Sequence, residues 1–303
     1  MLNLERLRVL HAVSTTGSVV GAARTLHVTT SAVSQQLARL EREVARQLIE
    51  KQGRGIRLTE AGTVLAGYAA DLLSHVERVE AGLAERGGAV AGALSVAAFA
   101  TAARGLLPGV VAELHEFYPQ LRVSITEQEP HEAIPAVRRG DLDVAVVQDW
   151  AHAVLDIPDG LQRCDLFEDA FDVALPHDHR LADRDRVAIA ELADDDWISW
   201  TTGQICHDWL VHALRRAGSI PRIRHTASEH ATQLAMVAAG LGVAVIPRLG
   251  RDPVPPPVRI VAIEPTPLRR ICAVWRASVT ARPAIRAMLD ALRVSPSMGA
   301  GAT

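Results

Sequence analysis

The sequence predicts a multidomain chain of α+β class. It has a winged helix-turn-helix over residues 1–58, a long linker helix over 59–87 and a two-lobed α/β body over 88–303. Three observations carry this. Two short helical stretches meet at a three-residue turn and are followed by a hairpin with a cationic tip. An amphipathic stretch of about 29 residues then runs without proline, and strand and helix patterns alternate through the rest.

In the first module, Leu4, Leu7, Leu10 and Val13 recur at helical spacing, so residues 3–15 form a helix with one buried stripe. Ser18 caps a second helix running to about Leu26, whose Gly21, Ala22 and Ala23 permit a close helix crossing. His27-Val28-Thr29 is the turn, and Thr29 or Thr30 caps a third helix with Ala32, Val33, Leu37 and Leu40 inward. Its outer face carries Thr30, Ser31, Ser34, Gln35 and Arg39 beside Thr29, the hydroxyl, amide and guanidinium groups that base edges and phosphates accept. A solvated helix face is the alternative. Two extended pieces, Gln47–Glu50 and Gly55–Leu58, flank Lys51-Gln52-Gly53-Arg54, so Lys51, Arg54 and Arg57 form a wing suited to a phosphate backbone. Thr59 and Glu60 begin the next helix.

Charge supports the same division. Residues 1–58 hold nine Lys/Arg against four acids, a balance of +5, while the remaining residues sum to −8 within a net charge of −3. A basic module on an acidic body suits a polyanion at one end only. At 303 residues and 49% hydrophobic composition the chain can build several cores. It has no run of about 20 apolar residues for a membrane span. Glu5, Arg6 and Arg8 stand where a signal peptide needs its apolar core. Cys164, Cys206 and Cys272 are far apart and odd in number, which fits reduced buried thiols; the expectation is a soluble, cytoplasmic protein.

The segment AARTLHVTTSAVSQQLARLE followed by RLTEAG resembles the LysR-type family of bacterial transcriptional regulators, and the resemblance extends along the whole chain. It rests on an AA-x-x-L-x-V-T helix, A-V-S-x-Q-x-x-x-LE in the recognition helix and L-T-x-A-G at its exit. Three places depart from the pattern. Ala45 stands where the family usually has glycine, Ile49 where it has phenylalanine, and Thr30-Ser31 where Gln-Pro is common. The resemblance implies double-stranded promoter DNA as partner, homodimers or homotetramers, and a small-molecule effector held by a domain similar to periplasmic binding proteins. It implies neither a cofactor nor a membrane.

The linker carries Leu65, Tyr68, Leu72, Val76, Val79 and Leu83 at spacings of three and four, along a helix roughly 43 Å long. So long a stripe needs a partner, either the same helix of a second subunit or the chain's own body. The resemblance implies dimerisation here. Gly87 to Gly92 reads as a hinge.

The body begins with strand Ala93–Ala98, a helical stripe from Leu106 to Phe117, strand Leu121–Glu127, helix 131–139 and strand Asp143–Val147. A second unit follows, with strands Phe171–Leu175, Trp197–Trp200, Ile223–Ala227 and Val243–Ile246 and helices Cys206–Ala217 and Glu229–Ala239. Strand Arg270–Trp275 and helix Pro283–Leu292 return to the first lobe. Lobe I is therefore about 93–163 and 266–292, lobe II about 164–265, each with a largely parallel sheet and crossovers near 163 and 265. Hinged lobes enclose a ligand cleft. The positions matching the family's effector site are Ala100, where a serine is common, with Thr101, Gln128, Thr201 and Thr202. The loops at 99–101 and 200–203 precede helices, whose N–H groups suit an anion.

Other signals read as structure. His177-Asp178-His179 lacks a nearby further ligand for a metal. Cys206 and His207 are adjacent on a helix and point apart. Gly240 to Val245 runs from helix into strand, the reverse of a phosphate cradle. The expectation is a regulator and no enzyme, the competing reading being a solute-binding protein without a regulatory role.

Overall fold

The computed structural model describes residues 2–52 and 55–294. Helices α1 (Leu4–Thr16), α2 (Val19–Thr25) and α3 (Thr30–Val44) form the N-terminal trihelical unit. Each start is capped by a side chain. The Asn3 amide oxygen accepts from Glu5 N–H, Ser18 Oγ from Gly21 N–H at 2.9 Å, and Thr29 Oγ1 from Ala32 N–H at 3.2 Å. Leu7, Leu10, Val33, Leu37, Leu40 and Leu48 fill the core between them. The hairpin β1 (Ile49–Gln52) and β2 (Gly55–Leu58) is antiparallel. Its first strand starts two residues later than expected, because Leu48 is drawn into the core. Glu41 fixes that entry, its Oε1 accepting from Leu48 and Ile49 N–H at 2.8 and 3.2 Å.

Helix α4 (Glu60–Gly87) is 28 residues, about 42 Å long. Its small residues Ala66, Ala69 and Ala81 are buried on the chain's own body. Tyr68, Leu72, Val79 and Leu83 are exposed, as is Val64. Leu65 corrects the expected stripe: it packs against the trihelical core, one helical position away from the exposed row.

The body opens with β3 (Gly92–Ala98), α5 (Ala100–Gly105), α6 (Leu107–Phe117), β4 (Leu121–Glu127), α7 (Pro130–Arg139) and β5 (Val144–Asp149). It continues through β6 (Leu161–Pro176), β7 (Arg186–Val187), β8 (Trp197–Ser199), α8 (Ile205–Arg216), β9 (Ile223–Thr226), α9 (His230–Ala238) and β10 (Val243–Pro247). β11 (Val258–Ile263), β12 (Leu268–Arg276) and α10 (Pro283–Val294) close it. The sheet path runs β4-β3-β5-β12-β6-β10-β8-β9, with β11 also on β6.

The expected crossover near 163 and strand 171–175 are one element. Residues 161–170 of β6 pair with β12, and residues 171–176 pair with β10 and β11, so a single strand passes from one lobe to the other near Phe171. The sheets are also less parallel than expected: β4-β3-β5 and β10-β8-β9 are parallel, but β6 and β12 run antiparallel to their neighbours. In lobe I α6 and α10 cover one face and α7 the other. In lobe II α8 and α9 do the same.

Candidate functional site

The outer side of α3 is Thr29, Thr30, Ser31, Ser34, Gln35 and Arg39, all exposed. Thr29 and Ser31 share a hydroxyl contact at 2.9 Å, and Ser34 Oγ donates to Thr30 O, also at 2.9 Å. These bonds orient small hydroxyls along the first turn while Gln35 and Arg39 project beyond it. The motif glutamine, Gln36, points elsewhere: it accepts from Arg6 Nε at 3.3 Å inside the trihelical unit. On the hairpin Lys51 is exposed, and Arg57 is tied to its cross-strand partner Glu50. Arg54 lies outside the described residues.

The second candidate is the cleft between the lobes, where a cavity of about 20 Å³ remains, room for a single water-sized guest. Ala100 and Thr101 line it. Gln128, Thr201 and Thr202 do not. Gln128 lies one residue before Glu129, which does, and its Oε1 is buried without a partner. Thr201 and Thr202 are exposed, with Thr201 Oγ1 2.9 Å from Ser228 Oγ at the cleft's edge.

The cleft is organised by a residue that sequence reasoning missed. Arg269, 1% exposed, enters from β12. Its Nε and Nη2 donate to Asp169 Oδ2 at 2.9 and 2.7 Å, Nη2 donates to Thr101 Oγ1 at 2.7 Å, and Nη1 bonds Gln148 Oε1. The Phe99 and Phe171 ring centroids lie at 4.9 and 4.8 Å from its guanidinium carbon, within cation–π range. Thr101, Gln148 and Asp169 belong to three distant segments, so only the fold assembles this cluster.

Three titratable groups near it, His230, Cys206 and Glu129, are shifted toward their neutral forms. Burial drives the His230 imidazole down to about 3, helped by Arg269. Burial pushes the Cys206 thiol up to about 12. Burial also raises the Glu129 carboxyl, against the pull of His131 and Arg269. His207 shares no chemistry with Cys206, because its Nδ1 turns to Trp200 O at 3.0 Å and Ser199 Oγ at 3.1 Å. His179 is likewise engaged, 3.2 Å from Asp195. Among the described residues no group of three or more His, Cys, Asp or Glu is placed to hold a metal.

A larger cavity of about 620 Å³ lies between α1, α4 and lobe I, lined by residues of mixed charge including His11, Glu77, Arg138 and Arg276. At its wall Glu77 of α4 accepts from Arg276 Nε at 3.2 Å and Ser278 Oγ at 2.5 Å, joining linker helix to lobe I.

Comparisons with known proteins match both parts of the chain to known domain families. Residues 4–63 match the bacterial regulatory helix-turn-helix protein, lysR family, and residues 87–295 match the LysR substrate binding domain. The DNA-binding transcriptional dual regulator OxyR of Escherichia coli is 27% identical over 301 residues, covering 96% of this chain and 95% of that protein. The probable HTH-type transcriptional regulator LrrA of Synechococcus elongatus is 29% identical over 294 residues, covering 96% and 97%. A Corynebacterium glutamicum OxyR mutant solved with hydrogen peroxide bound superposes with a TM-score of 0.63 at 26% identity, covering 98% of this chain and 93% of that one. Full-length Pseudomonas aeruginosa OxyR, at 24% identity and TM-score 0.74 over 97% and 96% of the two chains, shares the fold. With both domain families matched in order along one chain, the protein belongs to the LysR family of DNA-binding transcriptional regulators.

Proposed function

We propose that this regulator grips promoter DNA as a dimer. In this reading α3 lies in the major groove, the hairpin lies on the phosphates, and a compact molecule between the lobes biases the arrangement of the two subunits. The carrying observation is the outer side of α3, where Ser31, Ser34, Gln35 and Arg39 stand exposed beside Lys51 on a module whose charge is +5. The exposed row Tyr68, Leu72, Val79 and Leu83 supports pairing through α4, since two recognition helices on one duplex face multiply modest affinities. The protein acts by binding rather than turnover, in the cytoplasm where the chromosome lies. DNA affinity measured across salt concentrations tests the first part. Arg39→Ala and Lys51→Ala should each weaken binding, Lys51→Ala uniformly across sequences with a shallower salt dependence. Unchanged affinity and slope in both would remove α3 and the hairpin from the interface.

Some relatives are named as hydrogen peroxide-inducible activators. In this chain we assign the response to occupancy of the cleft and not to thiol oxidation. The nucleophile in such chemistry is the thiolate, and the buried Cys206 is held neutral at about 12. Cys164 and Cys272 sit on neighbouring strands but face opposite sides of the sheet, the first packed with α10 and the second with α7. Replacing all three cysteines with serine should leave the DNA response to its signal intact.

A further inference from the structure

We infer that the two lobes are latched shut at the hinge end of the cleft. The latch is α5 of lobe I, seated backbone to backbone on residues 248–252 of lobe II and clasped there by Arg104, and it must release before the cleft admits anything larger than a water molecule. This rests on the cleft being the effector site and names what keeps that site closed.

The seat is fixed to the hinge strand. After β10, Arg248 N–H donates to Ala170 O and Leu249 N–H to Asp169 Oδ1, both at 2.8 Å. The guanidinium groups of Arg248 and Arg251 both reach Asp172, at 2.8 and 2.6 Å. Ala170, Asp169 and Asp172 lie on β6 where it passes between the lobes, so the segment is a bracket on that strand. Helix α5 leans on the bracket at a distance that only glycine permits. A Cβ on Gly105 would lie 2.5 Å from both Cα and N of Gly250. A Cβ on Gly250, where φ is +58°, would lie 2.4 Å from Thr101 O. Arg104 closes over the joint: its Nε donates to Gly250 O at 2.7 Å, and its Nη2 pairs with Asp252 Oδ2 at 2.9 Å. Thr101 carries the joint into the cleft, its carbonyl against Gly250 and its hydroxyl accepting from Arg269.

The other joints between the lobes are of a different kind. Strands β6 and β12 are continuous chain, and Trp150, leaving the end of β5, is buried in the core of lobe II and stacked on Trp209 at 4.4 Å. These make a pivot. The clasp is an ion pair and a carbonyl bond from a half-exposed guanidinium, so it can part in water without uncovering an aromatic ring. While it holds, the space between Thr101, Glu129 and Gln148 of lobe I and Trp200, Gln204 and His230 of lobe II is only about 20 Å³. A larger guest has to separate those two walls. Its apparent affinity is then its affinity for the open form reduced by the fraction of molecules that are open. The latch therefore sets how strongly the regulator responds, whatever molecule it senses.

Two buried thiols report on the latch directly. Cys206 lines the cleft, its Sγ 3.8 Å from Gln148 Oε1 of the opposite lobe, and meets a reagent when the lobes part. Cys272, 0% exposed in the sheet of lobe I beneath α7, meets one only when that lobe itself comes apart. The full chain carrying Cys164→Ser is treated with N-ethylmaleimide, and each thiol is followed by peptide mass spectrometry; the rates then scale with the open fractions. Arg104→Ala should speed Cys206 about tenfold and leave Cys272 within about twofold. Asp252→Asn, which spares the bond to Gly250 O, should give a smaller rise in Cys206. Gly250→Ala, whose methyl has no room in the closed joint, should give a larger one; if that variant does not fold, Arg104→Ala decides. An unchanged Cys206 rate in Arg104→Ala, or a Cys272 rate that rises by the same factor as that of Cys206, would overturn the latch. The cleft reading fails separately, if the variant with all three cysteines intact shows no DNA response to any signal that the three-serine variant also lacks, and promoter binding is decided by the DNA titration.

Discussion

Ala45 ends α3 in a left-handed conformation, with φ 51° and ψ 37°, at the position where the family usually places glycine. An L-residue with a Cβ is strained there, so Ala45→Gly should stabilise the DNA-binding module by about 1 kcal/mol, seen as a higher urea midpoint of its transition. His230 gives a pH prediction of opposite sense. Its ring is neutral in the folded protein down to about pH 3, whereas an unfolded histidine takes up its proton near 6.5. The stability it contributes is therefore complete above that value and lost as pH falls toward about 3, with a slope of at most roughly 1.4 kcal/mol per pH unit. His230→Gln should flatten the decline in the urea midpoint between about pH 7 and pH 5; an unchanged slope would place the acid sensitivity elsewhere. These residues differ in how far the sequence exposes them. Ala45 was marked by a motif, and Thr101 by its place between strand and helix. Arg269 is one arginine among 31, and nothing local distinguishes it, because its partners come from positions 101, 148 and 169. His230 was hidden for a related reason: its burial against Trp200 exists only in the packed structure.

Elements read well where one physical pattern dominated. Caps at Ser18 and Thr29 fixed α2 and α3, and the glycine of L-T-x-A-G has a steric reason, since a Cβ on Gly62 would lie 2.0 Å from Leu48 O. The helix leaving the wing thus crosses the chain entering it at backbone contact. β6 was harder. Its lobe I half, from Leu161 to Ala170, alternates irregularly and carries Gln162, Arg163, Asp165, Glu168 and Asp169. Its apolar half, Phe171–Leu175, alone met the pattern of a buried strand. The α4 stripe shows how periodicity blurs along a long helix. Leu65 satisfied the spacing yet turns into the trihelical core, while Val64 beside it is 55% exposed. The row that remains has a direct test. Leu72→Asp with Val79→Asp places two carboxylates on that face, 45% and 52% exposed in the single chain, where they cost the monomer little. Sedimentation should then find monomers; dimers that persist would show that α4 is not the pairing surface.

At the scale of the whole molecule, β12 connects the two sites that matter. Arg269 near its start closes the cleft, and Arg276 at its end holds Glu77 of the linker helix; seven residues of strand, about 23 Å, separate them. Helix α4 packs in turn on α1, so the strand is joined to the recognition unit by one intervening helix. Ligand binding changes DNA affinity only if it favours one arrangement of these parts over another, and the Glu77 contact is a place where two arrangements can differ. Glu77→Ala isolates that contact. Arg276 would keep its bonds to Val137 O and Leu142 O, both at 2.8 Å, so lobe I should lose no more than about 1 kcal/mol. The helix, in contrast, loses the acceptor that two groups of the lobe share. Amide hydrogen exchange should therefore quicken in the stretch of α4 around residues 73–81 while β5, β12 and α3 keep their protection. If β12 exchanges faster by the same factor, Glu77 is part of the lobe's own stability, and the path from cleft to DNA must run through the packing of α4 on the 3-10 turn Ala277–Val279 instead.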